Sequence, residues 1–166
     1  MAMKLNSLEA LFVDQLKDLY DAEHQLIDAL PKMANAASSR DLKQSFEQHL
    51  QQTREQAKRL EQIFSDLDQK PSAKKCVGMQ GIIKEGEELI KEKKIDPDVL
   101  DAGLIASAQK AEHYEISVYG TLRTYAETLG MDAAARLLDR TLEEESRTDE
   151  KLTQLAISHI NLEAMS

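Results

Sequence analysis

The sequence predicts an all-α protein, an up-down four-helix bundle with a long crossover that contains a short helix. Three observations indicate this class. The 166-residue chain is 31% charged and has only six glycines and three prolines, which is typical of long solvated helices. Apolar residues recur with helical spacing in four long segments. One long connection of low periodicity separates the second segment from the third, and the length suits one domain over residues 1–166.

The first two helices are predicted over about residues 6–37 and 41–68. Asn6 is the expected N-cap of the first helix, because Glu9 follows it three residues later as in a capping box. Pro31 should kink this helix, since proline removes a backbone hydrogen bond. A polar turn between the two segments indicates that they pack as an antiparallel pair.

The crossover is predicted over about residues 70–96. Residues 79–94 have the apolar spacing of a short helix, although Gly81 and Gly86 weaken it. The connection is long enough to run from one end of the bundle to the other. The second and third long helices should therefore be parallel.

The third and fourth long helices are predicted over about residues 97–129 and 132–158. Asp96-Pro97-Asp98 has the features of a helix start: a capping residue, proline at the first position, and an acid facing the positive end of the helix dipole. Gly130 suits the C-terminal end of the third helix. The fourth helix then leaves only a short tail.

Composition excludes several classes of function. Lys and Arg total 21 against 30 Asp and Glu, giving a net charge of −9, which argues against nucleic acid as a partner. No apolar run is long enough to span a bilayer, so no membrane association is expected. Cys76 is the only cysteine, and no apolar signal segment is present. A cytoplasmic location is therefore expected.

Polar side chains interrupt the apolar stripe of every long helix near its middle. The candidate metal ligands are Glu23 on the first helix, His49 on the second, Glu112 and Glu115 on the third, and Glu145 and Asp149 on the fourth. Burying a carboxylate in an apolar core is costly unless a charge partner or a metal meets it. Glu112 and Glu115 are three residues apart and share one helix face. Carboxylate with imidazole suits Fe or Mn, as one ion or a bridged pair.

The alternative for any single acid is a surface residue that a small error in helix phase places inward. His49 is equally compatible with a hydrogen-bonded core histidine. Glu143 and Glu144 point away from the stripe and are predicted to be solvated, whereas His113 lies off the stripe. The joint pattern of acids, rather than any one of them, favours a metal site.

The residues that carry this pattern resemble a known family. The stretch Ala111-Glu112-His113-Tyr114-Glu115, followed by Tyr119-Gly120 and later by Leu142-Glu143-Glu144-Glu145, is similar to the YciE/YciF-type stress-associated family of bacterial ferritin-like proteins. Shorter matches are Leu19-Tyr20-Asp21-Ala22-Glu23, His49-Leu50 with Thr53, Arg59-Leu60-Glu61 and Gln80-Gly81-Ile82. The resemblance covers roughly residues 6–156. It implies a ferritin-like bundle, a homodimer and a rubrerythrin-like dimetal site, but no particular reaction.

The chain departs from the wider ferritin and rubrerythrin pattern at three positions. Thr148 stands where the resemblance implies a histidine on the fourth helix. Thr53 and Gln56 take the positions of a glutamate and a histidine on the second helix, with His49 one turn earlier. The site is therefore expected to bind one metal, a shifted pair, or none.

Three functions compete on this basis. The leading interpretation is a metal-binding stress-response protein that handles iron or peroxide; whether it is an enzyme stays open. The second is a non-catalytic helical dimer or partner-binding module, whose polar core layer fixes helix register. The third is a storage cage of the ferritin type, against which the resemblance favours a small oligomer.

Overall fold

The computed structural model describes residues 5–166, and its described part is helical without any strand. The five main helices are α1 (Leu8–Ala36), α2 (Arg40–Asp66), α3 (Val77–Lys91), α4 (Pro97–Thr128) and α5 (Asp132–Leu155). A π-helical turn (Ala156–Ile160) and a short helix α6 (Asn161–Glu163) follow. The all-α class is confirmed, and the helix ends lie close to those predicted. Residues 1–4 of the predicted domain lie outside the described residues.

The helix starts follow local capping chemistry. Ser7, not the predicted Asn6, caps α1, because its hydroxyl oxygen accepts a hydrogen bond from the Ala10 N–H at 3.1 Å. The Asp96 carboxylate caps α4 ahead of Pro97, as predicted. Gly130 has a φ of 70° in the left-handed region, where glycine avoids the steric cost that other residues meet.

Contacts at the two ends of the bundle define its topology. The Asp101 carboxylate accepts hydrogen bonds from the N–H groups of Ser38 and Ser39 at 2.8 and 2.6 Å, which places the start of α4 beside the α1–α2 turn. In the first half of α1, nearer the opposite end, the Lys17 carbonyl oxygen accepts a hydrogen bond from the Lys74 N–H of the crossover. The crossover therefore returns the chain along the whole bundle, and α2 and α4 run parallel.

Helix α3 lies along the groove between α1 and α4. The Gln25 side chain donates to the Cys76 carbonyl oxygen near the start of α3, and Lys110 on α4 pairs with Glu85 at 2.9 Å. Cys76 is buried at the N-cap of α3. The only cysteine of the chain is thus a packed residue at the start of a helix.

The core is one continuous cluster of apolar side chains from all five helices. On α5 the buried face includes Leu138, Thr141, Glu145 and Thr148, whereas Asp149, which was predicted as a ligand, is only partly buried. The buried positions follow alternating steps of four and three, which is the repeat of an α-helix facing one side. Within residues 5–166 no helix has the length and apolar character needed to cross a membrane.

Candidate metal centre

Four side chains from three helices converge in the middle of the bundle. His49 on α2, Glu112 and Glu115 on α4, and Glu145 on α5 each offer a ligand atom within 4.8 Å of the others. The three glutamates are fully buried and His49 is 2% exposed. We call these four residues the central cluster. All four were predicted from the interrupted apolar stripes.

His49 lies against two of the carboxylates. Its Nε2 atom is 2.9 Å from Glu112 Oε1 and 4.0 Å from Glu145 Oε2. The short contact nevertheless lacks the direction of a hydrogen bond, since both ring nitrogens of His49 are without a hydrogen-bond partner among residues 5–166. The Thr53 hydroxyl donates to the His49 carbonyl oxygen at 2.9 Å, which fixes the local α2 backbone.

Glu23 lies beside the central cluster on α1 and is fully buried. Its Oε1 atom accepts a hydrogen bond from the Tyr119 hydroxyl, while Oε2 has no partner in the described chain. Burial, followed by the charge of Glu145, raises the pKa of Glu23 to about 8. Tyr119 therefore fixes one carboxylate oxygen of Glu23 and leaves the other without a partner.

Asp149 remains at the edge of the layer. Its Oδ2 atom is 3.1 Å from Nε2 of His113, which is well exposed, and the Asp149 side chain is itself 21% exposed. Thr148, one residue earlier, takes the inward position and donates to Gln52 at 3.2 Å. The predicted ligand Asp149 thus has a hydrogen-bond partner, His113, outside the central cluster.

A chain of polar contacts that the sequence did not predict supports Glu145. The Gln56 amide donates to Glu145 Oε1 and, at 3.2 Å, to Glu144 Oε2. Arg59 forms two 2.7 Å hydrogen bonds with Glu144. The prediction that Glu144 is solvated is therefore wrong, because Arg59 draws its carboxylate against α2. The available signal was the three-residue spacing of Gln56 and Arg59, which places both on one face of α2.

Burial dominates the electrostatics of the central cluster. It raises the pKa of Glu112 to about 7 and raises the pKa values of Glu115 and Glu145 well above their ordinary value. The neighbouring carboxylate charges add to the effect at Glu115 and Glu145. Burial lowers the pKa of His49. Without a cation the layer is therefore mostly neutral at neutral pH, because buried acids that crowd one another retain protons.

The residues of the layer fit a metal ion. Both carboxylate oxygens of Glu112 and of Glu115, together with Glu145 Oε2, have no hydrogen-bond partner within residues 5–166. Buried polar groups in proteins nearly always have a hydrogen-bond partner, so a cluster of buried oxygens without partners needs an explanation. Carboxylate oxygen combined with imidazole nitrogen is a donor set that suits Fe and Mn.

His49 also borders two cavities of opposite character. A cavity of about 30 Å³ under α3 has mostly aliphatic walls that include Leu26 and Ile82. A second cavity of about 110 Å³, between α2 and α5, is lined by polar side chains that include Arg147 and Lys151. The imidazole therefore separates an apolar space from a polar one.

The helix order, the end-to-end crossover and the buried mid-bundle acids define the class as a ferritin-like four-helix bundle. Residues 7–165 match the family described as "Domain of unknown function (DUF892)", and the chain belongs to that family. It is 48% identical to "Protein YciF" of Escherichia coli (strain K12) over 163 residues, which is 98% of each chain. The resemblance that the sequence motifs indicated is confirmed.

Solved structures agree with this assignment. The crystal structure of "the E.coli stress protein YciF" has a TM-score of 0.90 at 47% identity, covering 95% of this chain and 99% of that one. A Rhodopseudomonas palustris protein named YcfI has a TM-score of 0.88 at 43% identity, covering 92% of this chain and 97% of that one. This chain is thus similar to a stress protein over nearly its whole length.

Proposed function

We propose that this protein binds one or two Fe or Mn ions at the central cluster and handles iron or peroxide during stress. The observation that carries the proposal is the convergence of four buried ligand atoms within 4.8 Å. The stress role is inferred from similarity to a chain named a stress protein. Metal binding is inferred from the donor set and its unpartnered oxygens.

Some of the ligand side chains would be held in place by hydrogen bonds to other residues, whereas others could move to accommodate the ion. Gln56 holds one oxygen of Glu145, leaving the other for a cation. Glu112 and Glu115 keep both oxygens free and are suited to bridging two ions. Glu23 is an additional candidate ligand through Oε2, which has no partner while Tyr119 bonds Oε1. A bound ion would supply Lewis-acid and redox chemistry toward oxygen species.

The pattern of ligands also limits the activity we expect. Thr53 bonds to the α2 backbone and Thr148 to Gln52, so neither replaces the ligand found at its position in ferritin-type sites. The centre thus has fewer imidazole donors than the dimetal pattern implied by the resemblance. We therefore expect slow turnover or binding without turnover.

Metal content tests the proposal directly. Protein purified without chelator should contain Fe or Mn by elemental mass spectrometry, and metal-free protein should take up Fe(II) or Mn(II) in an anaerobic titration. The Glu112→Ala, Glu115→Ala double variant should lose this uptake. A matched control, Glu143→Ala, Glu150→Ala, removes two glutamates from the surface of α5 and should bind as the parent does. Absence of uptake by the parent would end the metal hypothesis.

One set of contacts favours a second candidate, a non-catalytic module with a structural polar layer. Tyr119 bonds Glu23, Gln56 bonds Glu145, and His49 contacts Glu112. These pairs link all four long helices and would fix their register without a metal. This candidate predicts a protein that takes up no Fe or Mn and loses stability when any of these pairs is broken.

We further propose a homodimer in the cytoplasm. The dimer follows from the family resemblance, and light scattering of the purified protein measures it. The cytoplasmic location is supported by the lone cysteine, which is buried and free. Fractionation of cells followed by immunodetection is the corresponding measurement.

A further inference from the structure

The cavity beneath α3 is lined by residues of four helices, α1 to α4. Its volume is about 30 Å³, enough for a molecule of two or three heavy atoms but not for a typical metabolite. Its walls are mostly aliphatic. Four of the side chains that line it are Leu26 and Leu30 from α1 and Ile82 and Ile83 from α3.

Small residues keep this cavity open. Ala29 on α1, Gly86 on α3 and Ala108 on α4 all line it. A Cβ atom added at Gly86 would lie 3.4 Å from the Ser107 Cβ, so α3 approaches α4 closely at this point. A larger side chain at any of these three positions would project into the space.

The residues that line the cavity include both surface side chains and one member of the central cluster. Lys32 and Glu87 line it and form a 2.9 Å ion pair between α1 and α3, with the Lys32 side chain 59% exposed. At the opposite end it is bordered by His49, whose Nε2 atom lies 2.9 Å from Glu112. His49 is 2% exposed, and its Nδ1 atom has no hydrogen-bond partner in the described chain. One imidazole thus belongs to both the cavity wall and the cluster.

We propose that this cavity binds a small uncharged apolar molecule, of the class to which dioxygen belongs, and admits it to the central cluster. Its role as an access path rests on the proposed metal-binding function, whereas binding in the cavity does not. Aliphatic walls offer few of the two to four hydrogen bonds that a buried water needs. Ions would lose their hydration without compensation. The polar cavity on the α2–α5 side of His49 remains available to water and ions.

Dioxygen itself is the probe, because it is paramagnetic and shortens the relaxation times of nearby methyl protons. Metal-free protein with labelled leucine methyl groups is compared under dioxygen and under nitrogen at equal pressure. The methyl groups of Leu26 and Leu30 should relax faster than those of Leu60 and Leu104, which do not line the cavity. All four leucines are at most 2% exposed, so a difference reports the cavity and not solvent access. Equal enhancement at all four would overturn the proposal.

Two alanine variants sharpen this test. Ala29→Leu should fill the cavity and abolish the extra relaxation at Leu26 and Leu30. Ala134→Leu is the matched control, because Ala134 on α5 is about as buried as Ala29 but lies outside the cavity; it should retain the effect. If Ala29→Leu does not fold, Ala108→Val fills the same space. Retention of the effect in a folded cavity-filling variant would contradict the proposal.

This outcome is separable from that of the metal titration. Because the experiment uses metal-free protein, a protein that binds Fe(II) but shows no selective relaxation retains the proposed function and loses the cavity proposal. Selective relaxation in a protein that takes up no metal leaves a gas-binding cavity but removes the access role, which overturns that part of the inference.

Discussion

Glu115 is a carboxylate of the central cluster whose ionisation is disfavoured both by burial and by three neighbouring carboxylates. It is fully buried, both of its oxygens are unpartnered, and burial followed by the charges of Glu145, Glu23 and Glu112 raises its pKa. Glu115→Gln keeps the shape and removes the acid. We expect the metal-free variant to be as stable as the parent or more stable, and to lose metal-induced stabilisation. Thermal unfolding with and without Mn(II) measures both effects.

The control for this variant is Glu143→Gln, whose side chain is 61% exposed. Surface substitutions of this kind change stability by less than about 0.5 kcal/mol. It should leave both the metal-free stability and the response to Mn(II) unchanged. A large loss of stability in metal-free Glu115→Gln alone would favour the structural polar layer over a metal site.

The buried acids also predict how stability depends on pH. Glu23 and Glu112 have ordinary pKa values near 4.5, raised on folding to about 8 and about 7. The folded state therefore holds more protons than the unfolded state between these values, so the free energy of unfolding falls as pH rises. His49, whose pKa is lowered from 6.5, acts in the opposite direction below that pH. Between pH 6.5 and 8 the change of stability with pH therefore reports the buried acids and not His49.

Chemical denaturation of metal-free protein at several pH values measures this slope. Stability should decline from pH 6.5 to 8, and Glu23→Gln should reduce the decline. Glu143→Gln should leave it as in the parent. A stability that stays flat across this window in the parent would show that the acids are already ionised in the folded state, contrary to the effect of burial.

Single residues also show where sequence reasoning succeeds and where it fails. Glu112 and Glu115 were predictable because their spacing puts both on the apolar face of one helix. Asp149 and Thr148 differ by one position, which is a rotation of about 100° around the helix axis. Because the apolar stripe of α5 contains many polar residues, the sequence did not determine which of the two side chains faces the core. Glu144 was missed because its partner Arg59 lies 85 residues away. Contacts at such separations depend on how helices pair.

At the scale of one element, the phase of α5 makes a quantitative prediction. Leu138 is fully buried, whereas Leu142 is only partly buried, although the two leucines are four residues apart on one helix. Leu138→Ala should lower the free energy of unfolding by about 2–5 kcal/mol through loss of burial and cavity formation. Leu142→Ala should lower it by clearly less. Urea denaturation of both variants measures the difference, and equal losses would contradict the observed phase of α5.

Asp101 connects the start of α4 to the turn between α1 and α2. Its carboxylate, 2% exposed, accepts hydrogen bonds from the backbone N–H groups of Ser38 and Ser39 and from the Ser38 hydroxyl. Asp101→Ala should lower the free energy of unfolding by about 2–4 kcal/mol, because it leaves these donors without an acceptor. Asp98→Ala, in the exposed first turn of α4, is the control for helix-dipole effects and should cost less than about 1 kcal/mol.

At the scale of the whole molecule, the fold was predictable because amphipathic periodicity and helix-end residues act locally. Four apolar stripes and one long connection determine which helices pair and that α2 and α4 run parallel. The position of α3 was harder to predict from the sequence. The close approach of α3 to α4 at Gly86 and the burial of Cys76 both depend on the helices that α3 packs against. The same limit applies to the cavity under α3, which residues of four separate helices line.

Metal binding should stabilise the entire bundle, because the central cluster takes ligands from α2, α4 and α5. An ion that binds only the folded state adds about 2.7 kcal/mol to the free energy of unfolding at one hundred times its Kd. The unfolding temperature should therefore rise with Fe(II) or Mn(II) under anaerobic conditions and fall again with chelator. The rise should be greater at pH 8 than at pH 6, since binding must displace protons from the raised-pKa glutamates. A rise that persists in Glu112→Ala, Glu115→Ala would place the ion elsewhere on this acidic chain.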